Sequence, residues 1–471
     1  MTKLINTKFD ALRQAWEQNR PDEYQRRNDL LCLRANFKAS LNEMVEAVSY
    51  DFGHRSSHES IMAEAIIVLR EIDLCLRYLK KWIKPQRRKA GWQLWPATAE
   101  IRYVPLGVVG IMAPWNYPVN LTLTPLIAAL AAGNHAFIKP SEHTPHTNAY
   151  LEKLLSKIFP ENRVSIAQGG TDIAAAFSAL PFDHLFFTGS RAIGKKVMAA
   201  AAQNLTPVTL ELGGKSPALI APNADLKKAA ARIITGKLFN SGQTCIAPDY
   251  VLLPESVIES FITEVKEQIS QRYPQPNNFP DYISDYTSII NNNQYQRLIT
   301  LLEDAIIRGH EIIPLMPFID PRQALKQRVL VPTLVLNPDD DSAIMQEEIF
   351  GPLMPIKTYR SYDEAIHYIA SRDHPLAFYC FSKNNKQIEA ALLHIVAGSI
   401  CINDTLYQFA CTNLPFGGVG PSGMGQYHGY EGFKTFSKAM PILRKYNLAL
   451  TDQLRPPYGK RVDMIIRFLT R

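Results

Sequence analysis

Two side chains within residues 205–250 can do covalent chemistry together: a carboxylate, Glu211, and a thiol, Cys245, 34 positions further on. Glu211 lies in an apolar run from Val208 to Leu212 and is followed by Gly213-Gly214-Lys215-Ser216-Pro217. A strand should therefore carry it to a glycine turn where backbone passes close to a ligand. Cys245 closes Asn240-Ser241-Gly242-Gln243-Thr244, just past a helical run from Leu226 to Phe239. A thiol attacks as its thiolate, and a glycine-bearing loop offers exposure and nearby amide N–H groups. Taken alone, the same cysteine reads more readily as a small buried apolar residue.

Other residues suit a phosphorylated ligand or a developing charge. Lys139 and Glu142 follow the apolar strand Ala136-Phe137-Ile138, at the edge where open α/β sheets bind ligands, and such a pair can grip two ribose hydroxyls. A solvated loop pair is the other reading. Gly189, Ser190 and Gly194 sit between a strand ending near Phe187 and a helix, a place where a helix N-terminus can face a phosphate. Gly189 to Lys195 also fits the P-loop spacing, but Lys196 stands where the magnesium-binding hydroxyl belongs, and the Gly-x-Gly-x-x-Gly of a Rossmann turn is missing there. Asn116, in Pro114-Trp115-Asn116-Tyr117-Pro118, is either a turn residue or an amide donor to an oxygen turning negative. Glu348 and Phe350 read as a helix-end acid and a core aromatic. His428 enters no triad or metal pattern.

The supporting framework must be large. A chain of 471 residues, 46% hydrophobic, should hold two or three domains. Its six cysteines show no zinc spacing and no disulfide framework, and no apolar export segment opens the chain, so a reducing cytoplasm is expected. Residues 103–138 contain no Asp, Glu, Lys or Arg. Four prolines within them argue for buried strands and a core helix over a membrane span. After Glu431, nine Lys or Arg stand against two Asp, equal to the whole net charge of +7. That segment reads as a solvated basic tail with no nucleic-acid-binding signature, and Met464–Leu469 is too short for a membrane anchor.

Spacings of three and four make the first 90 residues helical, up to Pro85 and Arg87-Arg88-Lys89. Trp92 to Val104 is expected to be β-rich. From Leu106, strand, turn and helix alternate through Ala136–Ile138, Val164–Ala167 and His184–Phe187, the pattern of a parallel sheet with helices on both faces. A second α/β unit runs from about Leu212 to Ala410, with strands at Pro217–Ile220, Tyr250–Leu253, Val329–Val335 and Ala377–Phe381. Tyr273 to Asp285 reads as a surface connection.

Glu211-Leu212-Gly213-Gly214-Lys215-Ser216-Pro217, followed at that separation by Gly242-Gln243-Thr244-Cys245, resembles the signature pair of the aldehyde dehydrogenases. Pro114–Pro118, Lys139-Pro140-Ser141-Glu142, Phe187-Thr188-Gly189-Ser190, Glu347-Glu348-Ile349-Phe350-Gly351-Pro352 and Pro415-Phe416-Gly417-Gly418 agree, in family order. Ser422–Gly429 is similar to the class 3 branch, and Gln243–Tyr250 is most similar to the bacterial coniferyl aldehyde dehydrogenases. The resemblance implies an α/β fold of two doubly wound, Rossmann-like domains: residues 1–84 and 105–210 binding NAD(P), and 211–410 carrying the nucleophile. A small β-hairpin oligomerisation element would come from 85–104 and 411–450, with a basic tail at 451–471.

The resemblance further implies that Cys245 attacks an aldehyde carbon, Asn116 and the Cys245 N–H hold the oxyanion, hydride leaves for nicotinamide, and Glu211 activates the water that releases the acid. It places Trp115, Lys139, Glu142, Gly189, Ser190, Gly194, Glu348 and Phe350 on the dinucleotide. Lys139 and Glu142 take the adenosine ribose, Glu348 the nicotinamide ribose and Phe350 the ring. Glu142 should favour NAD over NADP. Tyr117, Tyr407 and Phe409, with Trp115, would line an apolar tunnel for an aromatic or long aliphatic aldehyde, and the enzyme would be a homodimer without metal. The alternatives are a coenzyme A-acylating dehydrogenase, which Glu211 argues against, a cofactor-free thiol hydrolase, which leaves Lys139, Glu142 and Glu348 without a role, and a non-catalytic relative, which would lose the nucleophile or the base.

Overall fold

A computed structural model describes residues 2–273, 284–317, 321–446 and 454–470 and forms three sheets. The first has the order Gly423–Met424, Val208–Leu212, His184–Gly189, Val108–Met112, His135–Lys139, Val164–Ile166. Its neighbours are parallel except Gly423–Met424, which runs antiparallel beside Val208–Leu212. Val108–Met112 and His135–Lys139 are buried throughout, as strands covered on both faces must be. The helix Asn120–Ala132 is likewise buried at every one of its 13 positions, which accounts for the charge-free stretch without any membrane. Gly133, at φ +95°, ends it by donating to the carbonyls of Ala129 and Leu130.

The second sheet runs Glu311–Pro314, Thr333–Leu336, Leu353–Tyr359, Tyr250–Pro254, Pro217–Ile220, Ala377–Phe381, Ser399–Ile402, parallel except for its first strand. In the first sheet Met112 pairs with Lys139 and with Phe187, and Gly189 with Leu212, so the Asn116, Lys139, Ser190 and Glu211 segments all leave one carboxyl edge. The Cys245 and Glu348 loops enter the second sheet at its amino edge, ahead of Tyr250–Pro254 and Leu353–Tyr359. The site forms between those two edges.

Several expectations shift. The strand expected at Val329–Val335 begins only at Thr333, because Pro332 has no N–H to give a ladder. Trp92–Leu94 is a single tight helical turn, and the strand proper is Thr98–Pro105. The hairpin of Gln86–Arg88 with Thr98–Pro105 gains a third strand, Ser437–Arg444, paired along the full length of Thr98–Pro105. The basic end of the chain is thus built into the fold: Ser437–Arg444 is a strand, and Lys460–Leu469 is a helix whose Phe468 ring lies 5.6 Å from that of Trp92. Glu211 belongs to the first sheet, so a division after residue 210 cuts through the strand Val208–Leu212. The connection at 273–285 lies mostly outside the described residues.

The N-terminal helical region positions the site through buried charges. Arg55, with 0% of its side chain exposed, pairs with Glu64 at 3.2 Å and donates to the Asn116 carbonyl at 3.2 Å, while its guanidinium lies over the Tyr117 ring. Glu64 also accepts from the Asn120 N–H at 2.7 Å. Glu59 accepts from the Asn240 N–H at 3.1 Å and from Thr287 Oγ1 at 2.7 Å. Removing one partner of such a pair strands a charge out of water. Arg55→Met should therefore lower unfolding stability by about 3–5 kcal/mol, seen as a fall in urea midpoint. Adding Glu64→Gln should recover part of the loss; equal loss in single and double variants would show that the pair is not what holds the region.

Candidate active site

Cys245 follows a backbone turn that few sequences tolerate. The helix Leu226–Leu238 starts under an Asp225 cap and stops one residue short of Phe239. Asn240, Ser241 and Gly242 then take φ of +54°, +51° and +75°. Each non-glycine residue there costs on the order of 1 kcal/mol or more. The turn survives because it is pinned: Asn240 Nδ2 donates to the carbonyls of Asn116 and Gln243, Ser241 Oγ to that of Thr287, and a methyl at Gly242 would sit 2.3 Å from the Gly351 oxygen.

The thiol is half-buried at the wall of an apolar cleft of about 540 Å³, whose lining includes Tyr117, Leu121, Phe239, Tyr407 and Phe409. Tyr117 is buried and its hydroxyl hydrogen-bonds Thr244 Oγ1 at 2.6 Å, next to the nucleophile; Tyr407 is 70% exposed. Trp115 is not in this lining. It packs against Phe350 instead, ring centroids 5.4 Å apart, which corrects its place in the tunnel and puts it beside the ring expected against nicotinamide. Asn116 is 3% exposed and uses one amide N–H on the Gln243 carbonyl at 3.2 Å, inside the cysteine loop. Its second amide N–H has no partner among the described residues.

Glu211 is 3% exposed, and neither carboxylate oxygen has a hydrogen-bond partner among the described residues. Burial holds its carboxyl well above the ordinary range. Burial and then the facing carboxylates of Glu348 and Glu211 push the Cys245 thiol up, and the N–H groups of Cys245 and Ile246 do not offset them. Burial and these carboxylates thus work against the thiolate in this arrangement, and the loop amides work for it.

A second cleft, of about 500 Å³, is lined by Arg191, Gly213, Lys215, Glu348 and Arg372 among others. A methyl at Gly213 would sit 1.9 Å from Glu348 Oε2, so only glycine lets that carboxylate lie against the backbone. Burial, then the neighbouring Asp249 carboxylate, push Glu348 up to about 8. Ser190 caps the helix Arg191–Ala202, its oxygen accepting from the Ile193 N–H at 3.4 Å, and Gly194 packs under Leu212. Lys139 is 3% exposed and donates to Glu142 at 2.8 Å. Burial alone would raise the Glu142 carboxyl, but the Lys139 bond and charge hold it low. A capped helix terminus, a glycine cradle and a Lys–Glu pair on one sheet edge fit a dinucleotide.

Residues beyond the motif readings complete the site. Lys215 bonds Asp249 and the carbonyls of Ile344 and Glu347, at 2.7 and 2.8 Å, and Asp249 accepts from the Ile349 N–H at 2.9 Å. Together they clamp the segment that carries Glu348. Arg297 adds bonds to the carbonyls of Glu348 and Ile349. His428 is buried among Phe409, Phe416 and Tyr427, and burial lowers it to about 3, so it is a neutral ring.

Fold and comparisons define an α/β oxidoreductase, with a half-buried cysteine at the wall of an apolar cleft. The chain matches the aldehyde dehydrogenase family over residues 7–442 and belongs to it. It is 46% identical over 446 residues to a probable coniferyl aldehyde dehydrogenase of Pseudomonas aeruginosa, covering 95% of this chain and 92% of that one. It is 39% identical over 447 residues to a 4,4'-diaponeurosporen-aldehyde dehydrogenase of Staphylococcus aureus, 94% of each. The substrate-bound structure of a Staphylococcus aureus AldH superposes with a TM-score of 0.93 at 38% identity over 99% of both chains. The enzyme oxidises an aldehyde to the acid with a nicotinamide cofactor. If Cys245 is the nucleophile, Cys245→Ala should abolish oxidation while dinucleotide binding, followed by fluorescence titration, persists. Alanine at Cys32, Cys75, Cys380, Cys401 or Cys411 should leave most activity; the reverse pattern would sink the assignment.

Proposed function

We propose that Cys245 carries the acyl group, Glu211 is the base and Asn116 holds the oxyanion. The observation that carries this reading is the half-buried Cys245 thiol at an apolar cleft, near enough to the two unpartnered buried oxygens of Glu211 for that carboxylate to push the thiol up. The cycle begins when a carboxylate takes the thiol proton and Cys245 Sγ adds to the aldehyde carbon. The new oxyanion is met by the free Asn116 amide N–H and the Cys245 backbone N–H. Trp115, Lys139, Glu142, Gly189, Ser190, Gly194, Glu348 and Phe350 would hold the dinucleotide, which supplies a hydride acceptor when bound. The thioester left on Sγ is then attacked by water, from which Glu211 removes a proton. Burial that raises Glu211 makes it a stronger base once ionised.

The finer reading is NAD in preference to NADP, since Glu142 would repel a 2′-phosphate. Coniferyl or another apolar aldehyde is supported by the aromatic cleft and by the name of the Pseudomonas aeruginosa relative. A homodimer built through the three-stranded sheet, a cytoplasmic location and no role for metal or nucleic acid complete the proposal. No helix among the described residues is long and apolar enough to cross a membrane.

Steady-state kinetics should find NADP poorer than or comparable to NAD, with Glu142→Gln moving the ratio toward NADP. A parent enzyme with a strong NADP preference would take Glu142 off the ribose. Glu211→Gln should release up to one equivalent of NAD(P)H per site in rapid mixing and then stall, with an acyl adduct on Cys245 by intact-protein mass spectrometry. In the parent, Glu211 is neutral below its raised pKa and a base only above it. Acyl-enzyme breakdown should therefore rise with pH through a midpoint above the usual carboxylate range. Normal turnover in Glu211→Gln would leave the residue a structural acid.

A further inference from the structure

The apolar cleft carries one feature that an apolar aldehyde leaves unused. One wall is a helical stripe: Met62, Ile66 and Arg70 recur at intervals of four, with Ile67 beside them, and all line the cleft. Met62 is 48% and Ile66 37% exposed, and Arg70 is exposed at the far end of the stripe, one turn beyond Ile66 on the helix Ile66–Trp82. The cleft has three charged lining residues: Arg70, Arg232 and Asp404. Arg232 is committed, donating to the Asn403 carbonyl and lying 3.5 Å from the Asp404 carboxylate. Arg70 has no hydrogen bond or ion pair with any described residue. A spent ion pair and a free guanidinium leave one uncompensated positive charge on an otherwise apolar path to the thiol.

We propose that Arg70 equips this enzyme for aldehydes that bear a carboxylate at the end remote from the reacting carbon, separated from it by an elongated apolar spacer. A guanidinium matches a carboxylate with two parallel N–H donors, and its planar fork serves such an end better than an ammonium would. The chemistry also places the reaction in a sequence: such substrates are what oxidation of one end of a long dialdehyde yields, so the enzyme would act on both ends in turn. The inference rests on the reading that this cleft admits the substrate to Cys245.

The test compares ω-oxododecanoate with dodecanal in the parent enzyme, Arg70→Ala, Arg70→Lys and Met62→Trp. Arg70→Ala should lower kcat/KM for the oxo acid roughly tenfold relative to dodecanal, through KM and not kcat, because a remote contact binds ground and transition states alike. Arg70→Lys should restore part of the preference, and added salt should erode it in the parent. Met62→Trp narrows the stripe and should impair both substrates, which tests the cleft itself. An unchanged substrate ratio in Arg70→Ala with Met62→Trp impaired overturns the role of Arg70 alone. Met62→Trp without effect on either substrate overturns the cleft reading and this inference with it. Equal losses for both substrates in Arg70→Ala would mean that the arginine shapes the cleft, which also overturns the proposal.

Discussion

Arg55 is a full charge held entirely out of water, and the catalytic geometry hangs on how that charge is satisfied. Its guanidinium reaches Glu64 and the carbonyl of Asn116, and Glu64 in turn takes the Asn120 N–H, so the segment from 116 to 120 is held from both ends. Glu59 does the same for the cysteine loop through Asn240. The Asn116 amide and the Cys245 thiol, on different elements, are thereby referenced to one short N-terminal segment. Side chains positioned by buried, directional bonds lose little geometry to thermal motion, and that is what an oxyanion site requires.

The second constraint is electrostatic crowding. Burial raises Glu211, Glu348 and Cys245 alike; the Glu348 and Glu211 carboxylates raise the Cys245 thiol further, and the Asp249 carboxylate raises Glu348 further. The same crowding explains why the Glu348 loop is tied so firmly by Lys215, Asp249 and Arg297: an untethered carboxylate would swing toward solvent.

Much of this was legible in the residues. The apolar run Val208–Leu212 is the strand that carries Glu211, and the run ahead of Cys245 is a helix because Asp225 caps it and alanines and lysines fill it. Glycine and proline punctuation located the Asn116, Ser190 and Glu348 loops. What the residues hid was of two kinds. Glu59 and Glu64 sit in helical sequence that carries no motif, and only the fold brings them to Asn240 and Asn120. The basic end of the chain reads as a solvated tail because its charge is one-sided; Ser437–Arg444 is a mostly exposed edge strand, held by its backbone pairing to Thr98–Pro105.

The strand that carries Glu211 is flanked on one side by His184–Gly189 and on the other by Gly423–Met424, which pairs Gly423 with Glu211 across 212 residues of chain. During synthesis the helix and turn that present Cys245 emerge soon after Glu211, whereas the outer neighbour of the Glu211 strand is added only when the chain is nearly finished. Until then that strand is an open edge, able to pair with any other exposed strand. The Cys245 turn likewise lacks its pins until Thr287 and Gly351 have emerged, so both halves of the site draw their supports from chain made well after them.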